Sequence, residues 1–326
     1  MASRQDTSTG GSLAELLGPP VPQRELSLSA ATWTKIAVLA ALLVLLHFAE
    51  LSVMVRTWLA RDNWTHGFII PLFSLYLLYM RRHDLAAAPR RTGALGLAGL
   101  AIMLIALAAE IYGTFGLRVN WFVQMWMVAM LFGLVLYLAG PAVIRVTWLP
   151  ILYLVFALPI PDALYSRVAL PLQNLSAKGA VMMLRLLGVD LSSAASRLDV
   201  VSRSGQSHSL TVAEACSGMQ LLMAFLALGV AMAYLDDKPI WQRVILVAAA
   251  IPIAIFCNVL RVAITCFMYY IDKPDLGKGF MHTATGMLML IPAFLLLWLL
   301  AWILKILFVE VDEDETAKPA GNGGAA

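Results

Sequence analysis

Charged side chains are scarce in this sequence. Asp, Glu, Lys and Arg make up 13% of its 326 residues, where a soluble domain carries roughly 25%, so a soluble enzyme and a disordered chain are both excluded. Cysteine is scarcer still, at three residues, which excludes a secreted scaffold built on disulfides. Neither an HExxH helix nor any other metal-ligand cluster is present, which argues against a membrane metalloprotease and leaves no metal or cofactor to expect. A GxSxG or a rhomboid-type Ser-His pairing is not evident either. The net charge of +3 is too small to imply a nucleic-acid partner.

What the sequence has is apolar residues, 61% of the total. A membrane-crossing helix needs roughly 20 consecutive apolar residues, and eight such helices would take about half the chain. Continuous apolar runs also argue against a transmembrane β-barrel, whose strands alternate apolar and polar. The runs fall at residues 36–55, 66–80, 94–115, 121–138, 143–158, 219–235, 240–271 and 283–308. The second is interrupted by Pro71 and stopped by Arg81-Arg82; the fifth is short and carries Trp148 and Pro150. The expected fold is therefore an all-α polytopic membrane protein of about eight transmembrane helices. Residues 1–32, rich in Ser, Gly and Pro, and the acidic tail 309–326 read as disordered ends of a membrane domain spanning 33–308.

Topology follows from Lys and Arg. With the N-terminus inside, twelve of them fall in cytoplasmic segments, and only Arg56, Arg61, Arg118, Lys273 and Lys278 fall in short outer loops. Both termini are expected in the cytoplasm, which places residues 159–215 outside. In that outer segment Arg167, Asn174, Lys178 and Arg185 lie 7, 11 and 18 residues beyond the first. At 100° per residue they share one helix face, with Leu and Met over much of the rest. This predicts an amphipathic helix on the outer face, kinked at Pro171, that lies along the interface or caps the bundle. After it, Leu198-Asp199-Val200-Val201 and Ser209-Leu210-Thr211-Val212 flank Ser204-Gly205 and predict a small β-hairpin before the sixth span.

Ionisable residues inside spans are costly and mark sites. Cys216 opens the sixth span, between Glu214 and Ser217-Gly218, where free helix N–H groups favour a thiolate. Cys257 and Cys266, in mid-span, read as apolar fillers. Arg261 interrupts the longest apolar run with Asn258 three residues earlier, on nearly the same face. About 30 Å of helix separates it from Trp241, so it sits near the outer edge of the hydrocarbon, either in a site or snorkelling to headgroups. His282 opens the last span, also outside; taken alone, a histidine there is more often structural. His47 and His83 read as structural or surface residues, and His208 as either. The charge count gave no weight to Cys216, Arg261 or His282, yet it puts all three at the outer leaflet on consecutive helices. A cysteine, a histidine and an arginine there can carry out acyl transfer: thiolate attack, proton shuttling and oxyanion stabilisation.

Ala213-Glu214-Ala215-Cys216-Ser217-Gly218, Asn258-Val259-Leu260-Arg261, and His282 with Gly286 four residues on resemble, in order, the three signature blocks of the exosortases, bacterial relatives of the archaeosortases. Asn63-Trp64-Thr65-His66-Gly67-Phe68 and Pro159-Ile160-Pro161 resemble other parts of that family, so the resemblance runs from Trp33 to Leu307. It implies a membrane cysteine protease or transpeptidase of the bacterial inner membrane, with its active site facing the periplasm or exterior. Its implied partner is a secreted protein ending in a C-terminal sorting signal of the PEP-CTERM type: a short Pro-containing motif, one transmembrane helix and a basic end. Water, or a lipid or glycan acceptor, would resolve the thioester, and the setting is exopolysaccharide and biofilm export. In that scheme Cys216 is the nucleophile, His282 the acid/base and Arg261 the oxyanion partner. Asn258 is a supporting polar group, as are Ser217 and Gly218 beside the thiol. Thr283 stands where many relatives are expected to be acidic, and Glu214 is the alternative group to orient His282. The rival reading is a polytopic transporter or assembly factor for polysaccharide export, with Arg261 as an anion site and roles for Glu50 and Glu110; no internal repeat supports it. A glycan-polymer enzyme would need an outer acidic dyad, which Asp162 and Asp199 are badly placed to form.

Overall fold

The computed structural model describes residues 30–90, 93–212, 219–235, 238–273 and 290–307. Long apolar helices dominate. They are α1 (Ala30–Leu46), α2 (Phe48–Ala60), α3 (Ile69–Met80), the short α4 (Arg82–Ala87), α5 (Gly93–Ile111), α6 (Asn120–Ala139), α7 (Pro141–Tyr153), α8 (Asp162–Leu186), α9 (Met219–Leu235), α10 (Ile240–Tyr270) and α11 (Leu290–Leu307). Among the described residues three helices are long and apolar enough to cross a membrane. Counting two sharply bent pairs as single spans makes five, and α9 and α11 are shorter apolar helices. The protein is a polytopic helical membrane protein.

The first run, read as one span over residues 36–55, is bent: α1 and α2 meet at His47 with a bend of 75°. The cause is a polar group that must be satisfied internally, since hydrocarbon offers it no partner. His47 Nδ1 donates to the Leu43 carbonyl at 3.0 Å, and Nε2 lies 3.1 and 3.2 Å from the two carboxylate oxygens of Glu110 on α5. Both groups are buried, 2% and 8% exposed, so one proton held between Nε2 and the carboxylate ties the bend to α5. Pro71 does not interrupt the second run. It falls in the first turn of α3, where a missing N–H costs nothing.

The apolar helices are joined at a few polar and small-residue contacts. A Cβ on Gly99 of α5 would lie 2.7 Å from the Gly133 carbonyl of α6, so these two backbones touch as small-residue pairs in membranes do. Pro150 in α7 has no N–H for the Val146 carbonyl, and the Tyr234 hydroxyl of α9 donates to that carbonyl at 2.8 Å. Ser74 of α3 donates to the Pro150 carbonyl at 2.6 Å. Trp58 Nε1 donates to the Ala157 carbonyl at 2.9 Å, which links α2 to the end of the fifth run. The Asn63–Phe68 motif lies in a 3-10 turn, Asp62–Phe68, with Trp64 buried in the same apolar cluster as Trp58 and Ala157.

The chain bends 85° from the Pro141–Ala157 helix into α8, which runs unbroken through Pro171. On its polar side Arg167, Lys178 and Arg185 are exposed, as read, and Asn174 is half-buried. The rest is two faces, not one. Leu170, Leu175, Met182 and Leu186 are exposed, while Ala169, Gln173, Ser176, Ala177, Ala180 and Leu184 are buried. The hairpin is present, turning through Ser204-Gly205, and its strands β2 (Arg197–Val201) and β3 (Ser207–Thr211) pair Val200 with His208. A further strand, β1 (Leu191–Ala194), pairs antiparallel with β2 and makes a three-stranded sheet. Alternation puts Leu198 and Val200 on the covered side, where they pack with Leu184 of α8 and Val262, Cys266 and Tyr269 of α10.

The sheet is tied to the end of α10 by the way that helix closes. Asp272 takes a left-handed φ of +59°, and the Asp272 and Lys273 amides donate back to the Tyr269 and Met268 carbonyls, a Schellman close. That aims the Asp272 carboxylate at the hairpin, where it accepts from the Ser204 amide at 3.1 Å and the Ser204 hydroxyl at 2.5 Å. The Ser204 and Ser202 hydrogen bonds hold the Asp272 carboxyl below its ordinary value. A carboxyl lowered by folding stabilises above its unfolded pKa, about 3.9, and that contribution is lost as pH falls through the folded value. The Ser204 amide should therefore exchange more slowly than its intrinsic rate even below pH 4 in the wild type, and at about the intrinsic rate at every pH in Asp272→Ala. Deleting one member of the buried pair, as in Glu110→Ala, should cost about 3 kcal/mol and lower the thermal midpoint in detergent. Glu110→Gln, which keeps a hydrogen-bonding partner for His47 Nε2, should retain most of that midpoint; equal midpoints for all three proteins would show that the pair is not what holds the bend.

Candidate functional site

Of the residues singled out in the sequence, Arg261 and Asn258 are described. Glu214, Cys216, Ser217, Gly218 and His282 lie outside the described residues. Arg261 is 6% exposed and Asn258 is 0% exposed, so neither side chain faces lipid, and Arg261 does not snorkel to the outer headgroups. Asn258, Arg261 and Thr265 are spaced three and four residues apart on one buried stripe of α10, the positions that share a helix face. Thr265 Oγ1 donates to the Arg261 carbonyl at 3.0 Å.

The opposing wall is α8. Asn258 Nδ2 donates to Ser176 Oγ at 2.7 Å, with both groups buried. One turn further along α8, Gly179 lets the helices approach closely: a Cβ there would lie 2.8 and 2.9 Å from the two Val259 methyl carbons. Gln173 is buried on the same face of α8, one turn before Ser176. Sequence reasoning missed Gln173 and Ser176. The available signal was the small-residue spacing Ala169, Ala177 and Ala180, which marks a face for close helix contact and not for lipid.

The third wall is the start of α9. A Cβ on Gly229 would lie 3.2 Å from the Ala250 Cβ. Carrying this antiparallel pairing ten residues along each helix sets Met219 level with Leu260, beside Arg261. Met219 is buried, in one apolar cluster with Ala169 of α8 and Cys257, and with Leu260 packed against it. Met219 follows the Cys216-Ser217-Gly218 run directly. Two helices, α8 and α10, therefore bury a guanidinium, two carboxamides and a hydroxyl, and the first residue of α9 packs in the neighbouring apolar cluster. In so low a dielectric, a fixed guanidinium acts strongly on developing negative charge. Cys257 and Cys266 are buried in the apolar clusters as packing residues.

A bundle of this kind, with the polar groups gathered between its helices, defines a polytopic membrane protein with an internal site. The model of the transmembrane exosortase family, Exosortase_EpsH, matches residues 58–299, about three quarters of the sequence, and the chain belongs to this family. No curated protein and no solved structure matches it.

Close approach at Gly179 has a direct test. Gly179→Ala should drive α8 off α10 and cost about 1–3 kcal/mol by overpacking, read as a lower thermal midpoint in detergent. Val259→Ala in the same chain should restore most of the loss. Additive losses in the double variant would show that the two residues do not meet.

Proposed function

We propose that the protein is a membrane-embedded cysteine protease or transpeptidase that processes C-terminal sorting signals of secreted proteins at the outer face of the bacterial inner membrane. The observation that carries this reading is Arg261, a cation buried on α10 among apolar helices, in a chain of the exosortase family. Eight spans with both termini inside is the proposed topology, supported by the apolar runs and the Lys and Arg distribution. In the proposed reaction Cys216 Sγ adds to the scissile carbonyl carbon, and Arg261 stabilises the oxyanion. As the C–N bond breaks, the amine leaves with a proton from His282. Water, or a hydroxyl or amine of a lipid or glycan acceptor, then opens the thioester and returns its proton to His282. Asn258, with Ser217 and Gly218, supports this centre, and Glu214 orients His282. Exopolysaccharide export is the proposed physiological setting. A transport reading would draw on Glu110, but that carboxylate is engaged by His47.

Co-expression with a secreted protein ending in a Pro-containing motif, a transmembrane helix and a basic end tests the proposal. Mass spectrometry of the C-terminus should show a shortened product, absent with Cys216→Ala and reduced about a hundredfold in rate with Arg261→Ala, the size expected for loss of one oxyanion partner. A mass increment on the product would identify the acceptor. Processing by Cys216→Ala at the wild-type rate would overturn the proposal.

A further inference from the structure

Gln173 is a buried polar side chain of α8 for which the proposed chemistry has no use. It is 5% exposed, on a face otherwise made of Ala169, Ser176, Ala177, Ala180 and Leu184. Its Oε1 is buried and has no hydrogen-bond partner among the described residues. Buried amide oxygens are almost always given a donor, because leaving one bare costs free energy that a leucine would not. Asn258 poses the same question. Its Nδ2 is spent on Ser176, which turns Oδ1 away from that bond, and Oδ1 likewise has no partner among the described residues.

The two oxygens belong to one place. Ala169, one turn before Gln173, shares an apolar cluster with Met219 and Cys257, and Ser176, one turn after it, bonds Asn258. Gln173 is therefore set between the start of α9 and Asn258, with Arg261 a further turn along α10. Two acceptors fixed on packed helices can each take an N–H group of an extended peptide. They do not suit an anion, which the acceptors would repel.

We propose that Gln173 and Asn258 bind the backbone of the extended segment of the sorting signal, their amide oxygens accepting its N–H groups, so that α8 forms one wall of the substrate site. The proposal rests on the peptide-processing reading above. It makes recognition partly independent of side chains: the amide oxygens read where N–H groups fall along the strand.

The test uses the full-length Cys216→Ala protein in lipid nanodiscs and a fluorescent synthetic peptide holding the extended segment and its transmembrane helix. In a series of peptides each amide of the extended segment is replaced in turn by an ester, which removes one N–H. One or two ester positions should weaken binding about tenfold, the size of one buried hydrogen bond. Gln173→Leu in the same background should weaken the parent peptide about tenfold and abolish sensitivity at one of those positions. Equal binding of every ester peptide overturns the proposal without any Gln173 variant, so a Gln173→Leu protein that fails to fold leaves it falsifiable. Full affinity and full ester sensitivity in a folded Gln173→Leu protein overturn it too, as expected if the two oxygens only hold water. A parent peptide that does not bind overturns it as well. Processing by the wild-type protein is followed in parallel. Ester-sensitive binding without processing contradicts the protease reading and leaves the backbone contact standing, whereas processing without ester sensitivity does the reverse.

Discussion

In hydrocarbon a polar group has no water to turn to, so each one inside the bundle dictates which helices meet. The hydrogen bond from Asn258 to Ser176 is the one on which the site depends. It fixes α8 against α10 at one level, and Gly179 lets the two backbones close on that contact. Apolar packing then follows along the same seam, through Ala180, Val262 and Cys266 up to the sheet. Replace that bond with two aliphatic side chains and the helices could slide, because lipid tails are as apolar as Leu and favour no particular register.

The same rule organises the other half of the molecule. His47 and Glu110 hold the broken first run to α5, Tyr234 fills the carbonyl that Pro150 leaves bare, and Trp58 caps the Ala157 end. These contacts brace the helices that carry α8 and α9. Outside the apolar region the account differs: the sheet is held by Asp272 and by Leu198 and Val200 packed on α8 and α10. An arginine in such a setting is positioned by its surroundings, and it need not reorganise when charge develops beside it.

Much of this was legible in the sequence because membrane helices announce themselves by apolar length. Residues 121–138 and 219–235 were placed to within a residue or two, and the Ser204-Gly205 turn was placed from the residues that turns require. The bend at His47 was not legible, because nothing local breaks that run; its cause is Glu110, 63 residues away. β1 escaped notice because Leu191-Ser192-Ser193-Ala194 carries only a buried Leu191 to mark it. Arg261 and Asn258 stood out as rare polar groups in an apolar run. Gln173 and Ser176 did not, because α8 is already rich in polar residues, and which of them turn inward depends on the partner helix.

The central claim is that the Cys216 thiol forms a covalent acyl intermediate whose oxyanion Arg261 stabilises. The most direct measurement is the intact mass of the purified protein, quenched in acid shortly after mixing with a sorting-signal peptide. The account predicts an added mass equal to the N-terminal portion of the peptide, localised to Cys216 and released by hydroxylamine. Substrate turnover with no added mass under conditions that slow the second step, or an adduct on any other residue, would contradict it.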